Sequence, residues 1–436
     1  MDPIIAASIA VALIFILLAL GTPVFATLAL SGATGIILVE NLAFLMNRLK
    51  SFSYSSTATS TLTVIPLFIL MGAFAHHAQI GRRLFDVANK WVGHMPGGLA
   101  MAGILTSAGF AATSGSSVAT AATVGSVALP EMRKAGYDPA LAAGSVAAGG
   151  ILGVLIPPSV LLIFYAALTE TSAGKMLVAG FVPGILTTIV FMAGIRLIAG
   201  RIMPRANLAP RSSWGERLSS TTKAWQVIVL FLVVLGGIYL GLMTPTEAAA
   251  VGAVAALLML ILELGSKVMP AVGESFRSTI TTTVMILFTM IGAGIFSYFL
   301  TLIQLPQQLA AVISDSGVPP HVIIALFLLS YIPLGMFLDA FSMMVITLPI
   351  MFPTVQHLGF DPIWFGILCV KMCEIGLMTP PVGLNCFVIA GIDRQTPLPQ
   401  VFRGAMWFVL MELFTVSLLF TFPQITTSLP NMMLGG

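Results

Sequence analysis

Two short stretches of this sequence gather oxygen atoms in an apolar setting. Thr113-Ser114-Gly115-Ser116-Ser117 sets four hydroxyls around a glycine, at the centre of a region, 95–130, that has no charged residue. Gly153-Val154-Leu155-Ile156-Pro157-Pro158 interrupts the apolar stretch 139–168. Tandem prolines lack N–H groups and clash with the preceding turn, so a helix breaks there and its carbonyls are freed. Hydroxyl and carbonyl oxygens are hard ligands, suited to a small hard cation such as Na⁺. Tip and break together offer a cation site without a charged side chain. A second such pair lies later: Phe337-Leu338-Asp339-Ala340-Phe341-Ser342 in 319–353, and Gly376-Leu377-Met378-Thr379-Pro380-Pro381 in 362–392. There Asp339 and Ser342 face Gly376 and Thr379. Asp339 is either an ion ligand or the N-cap of the helix that follows it. Asn385, just after the second break, can donate and accept. With Thr113, Ser116, Ser117, Pro157 and Thr379 it is a candidate substrate contact.

These groups must be held by elements that live in a membrane. Of 436 residues, 58 % are hydrophobic and only 8 % charged, and mean hydropathy is +1.04. That excludes a soluble enzyme and a disordered chain, and implies an integral protein of the lipid bilayer. Runs at 4–20, 24–39, 61–78, 176–198, 224–242, 246–262, 279–300 and 400–423 approach the roughly 20 residues that cross the hydrocarbon. The N-terminus has no basic n-region or small-residue cleavage site, so 4–20 reads as a retained first span. Region 95–130 would be roughly 54 Å long as one helix. It reads as a re-entrant hairpin, whose non-helical tip is tolerable only when buried in protein or lining a cavity.

The features repeat. A shift of 223 residues superposes Gly136-Tyr137-Asp138-Pro139 on Gly359-Phe360-Asp361-Pro362, Gly153 on Gly376, and Pro157-Pro158 on Pro380-Pro381. The expected fold is an all-α polytopic membrane protein of two repeats of about 218 residues, half of 436. Each repeat has three spans, a re-entrant hairpin, a broken span and a last span. Five crossings per repeat invert the second relative to the first, a transporter plan that places the site at the breaks. The divisions are 1–96, then 97–200 (hairpin 97–130, broken helix 139–168), a linker at 201–223, then 224–318, and 319–436 (hairpin 319–353, broken helix 362–392). With both termini outside, 15 of the 19 basic residues fall on the inner side, as the positive-inside rule requires. Segments 41–60 and 80–94 read as surface helices, with Arg82, Arg83, Lys90 and Trp91 bracing anionic lipid.

Other motifs are structural. Asp138-Pro139 and Asp361-Pro362 pair an N-cap with Pro at the first helical position. Thr244-Pro245-Thr246-Glu247 is a capping box. Lys371 and Glu374, three apart, suggest an internal ion pair. Cys369, Cys373 and Cys386 read as packing thiols. No basic block with interleaved aromatics points to nucleic acid, and no phosphate loop or nucleophile elbow points to an ATPase or an enzyme.

The sequence resembles the large membrane subunit of the tripartite ATP-independent periplasmic (TRAP) transporters. The resemblance rests on Ala112-Thr113-Ser114-Gly115-Ser116-Ser117-Val118-Ala119-Thr120-Ala121, Gly153 to Ser159, Gly174-Lys175-Met176-Leu177-Val178-Ala179-Gly180, Pro245 to Ala250, and Gly376 to Asn385. It covers essentially the whole chain. It implies an inner-membrane, Na⁺-driven importer of small organic acids. It also implies a separate small four-helix membrane subunit, a periplasmic binding protein that delivers substrate, and an elevator motion of hairpins and broken helices. By resemblance, Ser114, Gly153, Ile156 and Pro158 match a Na⁺ site, with Gly376 and Thr379 at its counterpart. At the second tip the match is weaker, since Ser114 shifted by 223 lands on Phe337. The rivals are a self-sufficient ion-coupled dicarboxylate or oxyanion transporter and a non-transporting receptor.

Overall fold

A computed structural model describes residues 2–57, 60–202, 211–305, 308 and 317–434, and all regular structure among them is helical. The first half runs α1 (Pro3–Ala19), α2 (Val24–Val39), α3 (Leu42–Thr57), α4 (Val64–His77) and α5 (Ile80–Val92). A hairpin follows, α6 (Gly98–Ser114) and α7 (Ser117–Lys134), then a broken pair, α8 (Pro139–Leu155) and α9 (Val160–Thr169), then α10 (Ala173–Ile202). The second half opens with α11 (Trp214–Thr221). Next come α12 (Trp225–Phe231), which passes through a π turn at Leu232–Gly236 into α13 (Gly237–Tyr239), then α14 (Pro245–Leu264) and α15 (Val268–Leu302). It closes with hairpin α16 (Pro320–Gly335) and α17 (Ala340–His357), broken pair α18 (Pro362–Gly376) and α19 (Leu384–Ile392), α20 (Leu398–Thr421) and α21 (Gln424–Leu434). Hairpin, broken pair and long helix thus recur in the same order.

Local chemistry sets the ends as the sequence reading expects. Asp138 accepts from Leu141 N at 2.9 Å, and Asp361 from Ile363 N and Trp364 N at 2.7 and 3.0 Å. Thr244 and Glu247 make both bonds of the capping box.

Several boundaries differ. The apolar run 279–300 belongs to a 35-residue helix, α15, about 52 Å long. The only proline in its polar N-terminal extension, Pro270, sits in the first turn, where proline is tolerated. The stretch 201–223 is not simply a linker. Residues 203–210 lie outside the described residues, but Ser213 and Glu216 form a capping box that starts α11. The chain also adds α21 after the last expected span. By length and hydropathy five helices can cross a membrane, or up to seven if each bent pair counts as one, among the described residues. One such pair is α4 with α5, bent by 66°. The apolar helices α1 and α2, counted above as spans, have 17 and 16 residues, roughly 25 Å each.

The first arms of the two broken pairs are the centre of the molecule. Leu141 to Leu155 of α8 and Trp364 to Gly376 of α18 are buried on every face. Helices without a polar face belong in a core, and small residues let their neighbours approach closely. At the crossing of α8 and α20, a Cβ on Gly404 would collide with the Ala140 backbone, its carbonyl carbon at 2.6 Å. No rotamer relieves a backbone clash. Gly404→Ala is therefore expected to destabilise the protein by about 1–3 kcal/mol, read as a lower thermal midpoint in detergent. Gly391→Ala, whose added carbon meets nothing within 4 Å, should not lower that midpoint.

The halves interlock. Phe164 of α9 packs edge-on to Phe341 of α17, ring centroids 5.0 Å apart. In the reciprocal place Ile389 of α19 lies against Gly125 of α7. Each broken pair thus lays its second arm on the other half's hairpin.

Candidate functional site

The first tip is tighter than its composition suggests. Helix α6 runs through Ser114, and only Gly115 and Ser116 are non-helical before α7 begins. Gly115 takes φ +63°, which glycine adopts without a steric penalty. Ser116 is the N-cap of α7 and accepts from Ala119 N at 3.4 Å. Thr113 Oγ1 donates to Phe110 O in its own helix at 2.8 Å. Ser114 Oγ shares a 2.7 Å hydrogen bond with Thr120 Oγ1. Thr120 was not singled out by the sequence reading. Its signal was the four-residue spacing from the Ser116 cap, one turn along the same face.

The first break meets this tip directly. The carbonyls of Gly153 and Val154 would each accept from the residue four places on, but those residues are Pro157 and Pro158. Ile156 leaves the helix with extended dihedrals, and Ser159 caps α9 by accepting from Leu162 N at 3.2 Å. Val160 N donates to Gly115 O at 3.3 Å. A Cβ on Gly115 would lie 2.9 Å from Pro158 O, and one on Gly153 would lie 2.5 Å from Ser116 O. Ser114, Gly153, Pro158 and Ser116 are therefore brought together, and all but Ser116 are buried. The Ile156 side chain points instead to Gly184 of α10. From the other side Gly72 of α4 seats against the Ser114 backbone, where a Cβ would lie 2.9 Å from Ser114 O.

The second pair is built differently. Asp339 caps α17, with Oδ1 accepting from Phe341 N and Ser342 N at 3.0 and 3.1 Å, and Ser342 Oγ donating to Oδ2. Capping, one of the two roles weighed for Asp339, is thus present. Thr379 Oγ1 donates to Ile375 O at 2.8 Å and its N–H to Gly376 O at 3.0 Å. No hydrogen bond among the described residues joins Asp339 or Ser342 to Gly376 or Thr379. Tip meets break through backbone: a Cβ on Gly335 would lie 2.5 Å from Gly376 Cα. This end is also more open. Pro157 and Pro158 are buried, whereas Pro381 is exposed, with Phe337 72 % and Val382 41 % exposed beside it.

One expectation fails. Lys371 does not pair with Glu374. Its Nζ donates to Glu412 Oε1 of α20 at 2.5 Å and to Thr187 Oγ1 of α10 at 2.8 Å, while Glu412 Oε2 accepts from Thr415 Oγ1 at 2.9 Å. Spacing on one helix ranks only local partners, and here a packed neighbour supplies the acid. The cysteines pack as free thiols, Cys369 Sγ donating to Tyr331 Oη at 3.1 Å. At the end of the first hairpin Arg133 pairs with Asp393, in the loop after α19, and with Gln395 at 2.5 Å. Burial pushes the Asp393 carboxyl up. The Arg133 and Thr396 hydrogen bonds outweigh that and hold it below the usual carboxylate range. This link is present above the ordinary carboxylate value and is lost as pH falls through the depressed one.

Two hairpin tips on two proline breaks, repeated along one apolar chain, form an architecture that known proteins share. The family model for the tripartite ATP-independent periplasmic transporter, DctM component, matches residues 11–425. The chain belongs to this family. It is 39 % identical over 409 residues to the C4-dicarboxylate TRAP transporter large permease protein DctM of Pseudomonas aeruginosa, covering 93 % of this chain and 94 % of that one. The sialic acid TRAP transporter large permease protein SiaM of Vibrio cholerae is 31 % identical over 376 residues, 86 % of this chain and 87 % of its own. The ectoine TRAP transporter large permease protein TeaC of Halomonas elongata is 30 % identical over 427 residues, 98 % and 99 % of the two chains. A crystal structure of the YdaH transporter of Alcanivorax borkumensis has the same fold, with a TM-score of 0.68 and 16 % identity over 98 % of this chain and 100 % of that one. The chain is thus a TRAP large permease subunit, a membrane transport protein and not an enzyme.

Proposed function

We propose that this subunit imports a small organic anion, a carboxylate in the range of a sialic acid, C4-dicarboxylate or sugar acid, across a bacterial inner membrane, driven by Na⁺. The observation that carries this reading is the convergence of Ser114, Gly153, Pro158 and Ser116. The Ser114–Thr120 hydroxyl pair lies against Gly153, in the stretch whose Gly153 and Val154 carbonyls the tandem prolines leave without a helical donor. Such a neutral oxygen site suits a monovalent hard cation. Gly376 and Thr379, with Asp339 and Ser342 at the second tip, form the counterpart. Thr113, Ser116, Pro157 and Thr379 face the substrate, whereas Ser117 and Asn385 are set against the buried Glu374. The anion is held by helix N-termini, backbone donors and the bound cations. The name of the family calls for a periplasmic partner, which delivers substrate to this chain. A separate four-helix small subunit completes the complex, and both termini lie on the periplasmic side. Hairpins, broken pairs and last spans move as a unit against the rest. Each net positive charge that enters contributes about 2.3 kcal/mol per 100 mV.

The test is uptake into proteoliposomes holding this chain and its small subunit, under an inward Na⁺ gradient. Accumulation of labelled acid should need both Na⁺ and the binding protein. Equal uptake without the binding protein would point to a self-sufficient transporter, and binding without accumulation to a receptor. Ser114→Ala removes one oxygen from the first site. It is expected to raise the Na⁺ concentration for half-maximal uptake by about tenfold. An unchanged value would remove Ser114 from the site.

A further inference from the structure

The core of this permease holds two buried carboxylates of opposite circumstance. Glu412, fully buried, is matched by Lys371, and the pair is closed by Thr187 and Thr415. Glu374, 1 % exposed, has no cationic partner among the described residues. Its Oε2 is buried with no hydrogen-bond partner. Lys371 lies one turn earlier on the same helix but is committed to Glu412. A carboxylate left uncompensated in an apolar interior costs several kcal/mol.

The groups that face Glu374 come from four elements. Ser117 at the start of α7 and Asn385 in the first turn of α19 are the polar side chains set against the carboxyl. Asn385 is fully buried, and neither its Oδ1 nor its Nδ2 has a hydrogen-bond partner. Gly150 of α8 closes the floor: a Cβ there would lie 2.9 Å from Ser117 O and 3.3 Å from Asn385 Nδ2. The remaining charged or titratable neighbours are Glu412, already paired, and Cys373, a free cysteine on α18 itself.

We propose that Glu374, with Asn385 Oδ1 and Ser117 Oγ, binds one monovalent cation at a third site, which adjoins the first tip through Ser117 and lies apart from the second tip and break. Three hard oxygens carrying a single negative charge suit an alkali cation. A divalent ion would leave one positive charge buried. It lies apart from the second pair because Glu374 precedes Gly376 by two residues, about 200° around the helix. Gly376 abuts Gly335 and Tyr331 of α16, while Glu374 faces α7 and α19. One bound ion would tie the tip of the first hairpin to both arms of the second broken pair. Only the ion's identity, Na⁺, rests on the proposed function.

The test is equilibrium binding of ²²Na⁺ to the purified complex of this chain with its small subunit, together with the charge moved per substrate in proteoliposomes. Glu374→Gln keeps the shape and removes the charge. It should bind one Na⁺ fewer per complex and carry one positive charge fewer per substrate. Ser117→Ala should weaken one class of Na⁺ site by about tenfold without changing the number bound at saturation. Full Na⁺ stoichiometry and unchanged charge in folded Glu374→Gln would overturn the proposal while leaving the tip-and-break sites standing. So would an unchanged Na⁺ number with loss of a coupled proton. Wild-type complex that binds no Na⁺ would overturn both readings.

Discussion

Replacing Lys371 with methionine is expected to cost about 3–5 kcal/mol, the penalty for stranding one charge of a fully buried pair. Lys371 and Glu412 are each 0 % exposed and meet at 2.5 Å. Methionine fills most of the lysine volume but leaves Glu412 charged, with Thr415 as its one remaining side-chain partner among the described residues. The loss should appear as a large fall in the thermal midpoint of the purified protein and a lower yield of monodisperse material. Adding Glu412→Gln should restore much of the stability, because it removes the stranded charge. A double variant as unstable as Lys371→Met would show that packing of the lysine stem, not charge balance, is what matters there.

Gly153→Val is expected to abolish transport more completely than any hydroxyl removal. Its Cβ would lie 2.5 Å from Ser116 O and 2.9 Å from Thr120 Cβ. Valine must therefore push the first hairpin off the first break, moving Ser116, Ser114 and Pro158 apart by about an ångström. In a site where geometry decides, such a displacement costs on the order of a hundredfold. Uptake per folded protein in proteoliposomes is the readout, with ²²Na⁺ binding measured alongside. Gly103→Ala, in the same hairpin but with its added carbon only touching Ala128 Cβ at 3.9 Å, is the matched control. Equal uptake by Gly153→Val and wild type would separate the tip-and-break contact from transport.

These two residues also mark where sequence reasoning reaches its limit. Gly153 was legible because the break it belongs to is local. Tandem prolines break a helix wherever they stand, and their recurrence 223 residues on fixed the pairing of elements. The caps at Asp138, Asp361 and Thr244 were legible for the same reason, since each bond spans two or three residues. Lys371 was not. It stood one turn from Glu374, and spacing alone preferred that partner. Glu412 lies 41 residues away, and only the packing of α18 against α20 brings it within reach. The helical extension of α15 was missed because the sequence pattern followed hydropathy. A helix continues past the apolar run wherever no breaker stops it.

Composition, the proline breaks and the repeat determined by themselves that this chain is a helical membrane protein with polar tips set near broken helices. Those properties depend on residue types and short-range backbone sterics, which a linear pattern carries. The tertiary structure alone decided that the first tip is sealed on its break while the second stays more open, and that Glu374 has no counter-charge among the described residues. Each of these depends on which distant groups share a small volume, and in an apolar interior that neighbourhood sets whether a polar atom is satisfied.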